Sequence, residues 1–83
     1  MNVIIDNSHD LLERIDEYKH IFPDTYTDMT RIKEVLETNY NAPVGHVFGV
    51  EISKEWQDKC FGFEVCKVTP DATYFRYIGV WKC

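Results

Sequence analysis

The spacing of apolar residues changes once along this chain, near Gly45, and that change constrains the fold more than any other feature. From Leu11 to Tyr40 apolar residues recur at intervals of three and four, and after Gly45 they alternate. Spacing by three and four lines one face of an α-helix, whereas alternation lines one face of a β-strand. The expected fold is therefore α+β: a short N-terminal strand, two helices, then a three-stranded antiparallel meander with the helices packed on one sheet face.

The β-branched run Val3, Ile4 and Ile5 reads as the first strand, closed by Asp6 and Asn7. Asn7 or Ser8 then supplies a side-chain oxygen to cap a helix. That helix carries Leu11, Leu12, Ile15, Tyr18, Lys19 and Phe22 at helical spacing, with Asp10 and Arg14 as an i,i+4 pair. Pro23 disfavours helical geometry at Phe22, so the helix is expected to stop by about His20. After a loop over 23–27, Thr27 or Asp28 caps a second helix bearing Met29, Ile32, Val35, Leu36 and Tyr40, which Asn39, Asn41 and Pro43 end. In the alternating half, His46, Phe48, Val50 and Ile52 form one core-facing set and Phe61, Phe63 and Val65 another. A type I turn at Thr69–Ala72 leads into a last strand, Thr73–Lys82, which is apolar on both faces and so reads as central or covered. Where the first strand pairs is left open.

Eighty-three residues form a single domain, 1–83, that buries only about 60% of the surface its unfolded chain exposes. Eight of the twelve aromatic residues follow residue 45, so the sheet half supplies most of the bulky apolar surface. Cysteines number three, Cys60, Cys66 and Cys83. Cys60 and Cys66 sit about 20 Å apart along one strand, too far to bridge each other. The odd count and lack of a secreted-domain spacing point to reduced thiols that act as small hydrophobes in a cytoplasmic setting. The longest apolar run is Val3–Ile5, so no membrane span is expected, and the start lacks the basic and apolar regions of a signal peptide.

Few residue constellations here suggest chemistry. His9, His20 and His46 with the cysteines are the available soft-metal ligands, but none forms the close pair that preorganises a zinc tetrahedron, so no metal or other cofactor is expected. A cysteine–histidine enzyme or small-ligand domain would use Cys60 or Cys66 with His46. Yet those cysteines alternate with the core-facing Phe61, Phe63 and Val65, while His46 shares the core-facing set. No catalytic residue is therefore assigned.

Charge is the remaining signal. Residues 1–30 hold seven acids against two bases, and residues 31–83 hold seven of each, so the whole net charge of −5 belongs to the first thirty positions. Asp10, Glu13 and Glu17 fall at spacings of three and four on one helix edge, with Asp16 nearby and Asp24 just beyond. A solvated helix face accounts for this pattern; so does a surface that presents carboxylates to a basic partner, much as nucleic acids present phosphates. Direct nucleic-acid binding is not expected, because Lys54, Lys59, Lys67, Arg76 and Lys82 are dispersed and matched by acids. Trp56, between Glu55 and Gln57, has the profile of an interface anchor unless it folds back onto the sheet edge. Asp10, Glu13, Asp16, Glu17, Asp24 and Trp56 are thus the candidate partner-binding residues.

In size and charge the chain is similar to the small inhibitors that phages and other mobile elements encode against host nucleic-acid machinery, anti-CRISPR proteins among them. The likeness implies a non-enzymatic inhibitor whose partner is a protein with a basic surface. A homodimer is a related expectation, because a two-faced aromatic strand in so short a chain calls for a cover.

Overall fold

A computed structural model describes residues 2–83 as β1 (Asn2–Asp6), α1 (Ser8–Ile21), α2 (Met29–Thr38), β2 (Val47–Glu51), β3 (Lys59–Val68) and β4 (Ala72–Lys82). The α+β class and its two helices match the periodicity, but the sheet is larger than expected. It is a four-stranded mixed sheet in the order β1-β4-β3-β2. β2–β3 and β3–β4 pair antiparallel, and β1 joins the far side of β4 in parallel, with Ile4 opposite Tyr74 and Asp6 opposite Arg76. The doubly apolar β4 is thus an interior strand, where both of its edges are hydrogen-bonded.

The core follows from the two periods. Leu11 and Ile15 of α1 and Ile32 and Leu36 of α2 pack on Val50, Phe61, Phe63, Val65, Phe75 and Tyr77 from one face of the sheet. Phe61, Phe63 and Phe75 are completely buried, each contributing about 1.5–3 kcal/mol of apolar transfer. Buried hydroxyls tie the loops to this core. Thr27 Oγ1 donates to the Glu51 carbonyl, and the Ser53 hydroxyl accepts from the Trp56 amide at 3.1 Å.

Helix ends depart from the sequence expectation in detail. α1 runs one residue past His20 because Phe22 alone takes the extended geometry that Pro23 demands, with φ −120° and ψ 91°. At the other end Asn7 occupies the cap position in a left-handed conformation, φ 52°, and its side chain makes no capping bond. The amide instead donates to the Tyr77 carbonyl on β4 at 2.8 Å. For α2 the cap is Asp28, whose Oδ1 accepts from the Arg31 amide at 3.0 Å, which leaves Thr27 free for its bond to β2.

On the sheet face away from the helices, Gly49, Gly62 and Gly79 lie in register across β2, β3 and β4. Trp81 fills the space that Gly49 and Gly62 leave open. A Cβ on Gly49 would stand 2.9 Å from Trp81 Nε1 and 2.7 Å from Cys60 Cβ, and one on Gly62 would stand 3.3 Å from Trp81 Cδ2. The same face holds the Cys60–Cys83 disulfide, with Cα atoms 5.7 Å apart. This corrects the reading of three reduced cysteines: only Cys66 is free. The reason is topological, since the antiparallel β3–β4 pairing sets Cys60 opposite Trp81 and brings the last residues of the chain beside the start of β3. No helix is long and apolar enough to cross a membrane among the described residues.

Candidate functional site

The acidic residues of α1 are exposed, but they are not equivalent. Helical geometry puts Asp10, Glu13 and Glu17 on one edge of α1 and Asp16 farther round its outward side. Asp10 and Glu13 line a groove of about 800 Å³ between α1 and β4, whose other walls include Arg14, Arg76, Tyr77 and Gly79. Glu13 lies 2.9 Å from His9 Nε2. Arg14 does not pair with Asp10 as the i,i+4 spacing suggests; it bonds Glu17 one position closer in, Nη1 to Oε2 at 2.7 Å. That bond raises the Arg14 pKa further. So Arg14 masks Glu17, and Asp10 is left without an ion-pair partner among the described residues.

At the groove floor, Tyr77 reaches from β4 toward α1. It is only 6% exposed, and its hydroxyl makes no close hydrogen bond among the described residues but stands against the Arg14 guanidinium. Burial pushes this phenol upward, while the neighbouring Arg14 opposes the shift. The groove mouth is shaped by irregular backbone on both sides. Asn7 is left-handed on the helix side, and Gly79 takes φ 100° where the β3–β4 register shifts, a bulge that re-aims the flanking side chains.

Asp24 and Trp56 lie elsewhere. Asp24 borders a shallow depression with Tyr26, Lys54 and Glu55. Trp56 is half-buried: its ring packs edge-on against Tyr18 with centroids 5.3 Å apart and against Phe22 at 4.6 Å. It folds back onto the end of α1 and stays partly exposed. The six candidates therefore divide into Asp10 and Glu13 at the groove, Glu17 paired with Arg14 outside its lining, Asp16 on the outer helix surface, and Asp24 and Trp56 near the helix C-terminus.

The cysteine–histidine pairing has no shared geometry. Cys60 is bonded to Cys83, and His46, expected in the core-facing set, is instead exposed because it precedes β2, and it stacks on Phe48 at 5.7 Å. Cys66 sits on the helix-free face, 3.4 Å from the Tyr74 carbonyl and 3.6 Å from Asp6 Oδ2. Desolvation, reinforced by the Asp6 carboxylate, pushes the Cys66 thiol up, away from the thiolate. Among the described residues no three His, Cys, Asp or Glu side chains converge as a metal cage.

Arg76, Tyr77 and Asn7 are the groove residues that sequence reasoning missed. Tyr77 reads from alternation as a core residue, which it is, and nothing in the local pattern marks Arg14 as the neighbour of its hydroxyl. Comparison of the chain with known protein families, curated proteins and solved structures returns no match.

Proposed function

We propose that this chain is a small non-enzymatic inhibitor that binds a basic, nucleic-acid-handling protein through the acidic face of α1, in the manner of the anti-CRISPR-like proteins that phages encode. The observation that carries this reading is the concentration of exposed carboxylates on one helix, Asp10, Glu13, Asp16 and Glu17, of which Arg14 neutralises only Glu17. Their summed field favours a cationic surface and speeds encounter with it. Asp24 and the partly exposed Trp56 extend the footprint at the helix C-terminus. The test is capture of the partner with the wild-type chain, then with Asp10, Glu13 and Glu17 all changed to Lys. The triple variant is expected to stay folded and lose the partner, and wild-type binding is expected to weaken as salt rises. Binding that is indifferent to salt, or retained by the triple variant, overturns the reading.

Self-association is favoured by a separate observation. β1 is an edge strand, and Ile4 (38% exposed) and Leu12 (45% exposed) flank an apolar hollow beside it. Edges of this kind pair readily with another strand. A second copy fits, because antiparallel pairing centred on Ile4 sets the Asn2 amide against the Asp6 carboxylate at both ends. The cytoplasmic setting expected from the cysteine pattern is not carried into this proposal, since disulfides such as Cys60–Cys83 persist chiefly in oxidising compartments.

A further inference from the structure

We infer that the Cys60–Cys83 disulfide is a reducible latch: it holds the end of β4 against β3, and a dithiol that opens it releases residues 80–83 and lifts Trp81 off the glycines beneath it. Several independent features oppose the closed arrangement of this stretch. β1 pairs with β4 only as far as Arg76, so residues 79–82 have β3 as their one neighbouring strand. The ladder is also interrupted where that one-sided pairing begins. Ile78 is an extra residue between Tyr77, opposite Phe63, and Gly79, opposite Gly62, and Gly79 takes φ 100°. Beyond the bulge Lys59 stands directly opposite Lys82, a like-charge pair that weakens the pairing. The Trp81 indole N–H is buried without a hydrogen-bond partner among the described residues, so seating the ring forfeits a bond that water supplies once it leaves. Val80 packing on the core and Trp81 packing on Gly49 and Gly62 act the other way. The cross-link adds to those contacts, and its removal leaves them alone against the bulge, the lysine pair and the buried N–H.

The bond is open to exchange from one side. Cys83 is exposed, whereas Cys60 is only 5% exposed, so an incoming thiolate attacks the Cys83 sulfur. The S–S bond breaks, Cys60 leaves as a thiolate and takes up a proton, and Cys83 is held as a mixed disulfide with the reductant. The second thiol of the reductant then displaces Cys83, which is protonated in turn. Two electrons and two protons thus pass to the cysteine pair, and the reductant departs as its own disulfide. Cys83 then keeps the hydrogen bond from its amide to the Asp58 carbonyl, at 3.2 Å. Trp81 moves with the same stretch. Its departure bares Gly49 and Gly62 on the helix-free face, where the indole occupies the room that side chains on those two residues would need.

The test uses the full chain, labelled with 15N and purified without reductant, before and after treatment with dithiothreitol, with mass spectrometry to confirm complete reduction. Hydrogen exchange at the Val80, Trp81 and Lys82 amides is expected to speed up by about tenfold or more on reduction, while Leu11, Ile32 and Phe75 keep their protection. The Trp81 indole N–H signal is expected to move to a solvent-exposed position, with the Trp56 indole, packed against Tyr18 and Phe22, as the unmoved internal reference. Replacing the reductant with oxidised glutathione is expected to restore slow exchange. Cys83→Ser, which cannot form the bond, is expected to behave as the reduced chain with no reagent present. Unchanged exchange over residues 80–82 and an unmoved Trp81 indole after full reduction overturn the proposal, because the disulfide is then a fixed staple. Loss of protection throughout the chain overturns it too, because the bond then props the whole fold. So does finding all three cysteines as free thiols in the protein purified without reductant.

Discussion

Single residues in this protein take their chemistry from partners that lie far away in sequence. Cys60 and Cys66 have similar neighbours along the chain, yet one is bonded to Cys83 and the other holds a proton beside Asp6. Their labelling should differ accordingly. Because the Cys66 pKa is raised, its thiolate fraction at neutral pH is lower than that of an unperturbed cysteine, and alkylation by iodoacetamide should be slower than for free cysteine. The rate should climb only as pH passes above the ordinary thiol range. Cys60 and Cys83 should label only after reduction, which removes a 23-residue cross-link that is worth about 3 kcal/mol on chain-entropy grounds. Mass spectrometry of alkylated protein, with and without reductant, checks both points. Fast labelling of Cys66 at neutral pH would revive the nucleophile reading; labelling of all three thiols without reductant would remove the disulfide.

At the scale of elements, the junction between β1 and α1 decides where the groove lies. Asn7 turns the chain in one left-handed residue and bonds the Tyr77 carbonyl, so it fixes both the helix start and its distance from β4. Asn7→Ala should cost about 1–2 kcal/mol, through the left-handed strain on a Cβ and the lost hydrogen bond. Asn7→Gly should recover the backbone part alone. Thermal or denaturant unfolding of the two variants separates the contributions, and equal stability of both would refute the account. The helix itself was legible in sequence because Leu11 and Ile15 keep the helical period toward the core. Its cap chemistry was not, since Asn at a cap position serves either the helix or a neighbouring strand, and only the position of β4 selects between them.

For the whole molecule, the exposed edge of β1 leads to an oligomerisation test. Sedimentation velocity over a wide concentration range should show a monomer–dimer equilibrium for the wild type, and Ile4→Lys, which places a charge on the edge strand, should be monomeric throughout. A wild-type chain that stays monomeric at high concentration would eliminate β1 pairing. The class of the fold, the two helices and the core-facing alternation of β2 and β3 were legible because they depend on period, a local property that burial on one face imprints on the chain. So was the acidic character of α1, which is a sum over residues. The pairing of β1 with β4 was not, because a three-residue apolar run fits any open strand edge. Nor was the Cys60–Cys83 bond, which exists because antiparallel register returns residue 83 to residue 60. The groove was equally hidden: Asp10 and Glu13 are visible in the sequence as acids, but the buried phenol of Tyr77 and the Arg14 guanidinium meet only after α1 is laid across β4. Sequence by itself determined which faces are apolar and where charge accumulates, both short-range properties. Tertiary structure decided which carboxylates stay unneutralised and what they surround, because ion pairs and pockets are set by distances between elements that the chain order does not contain.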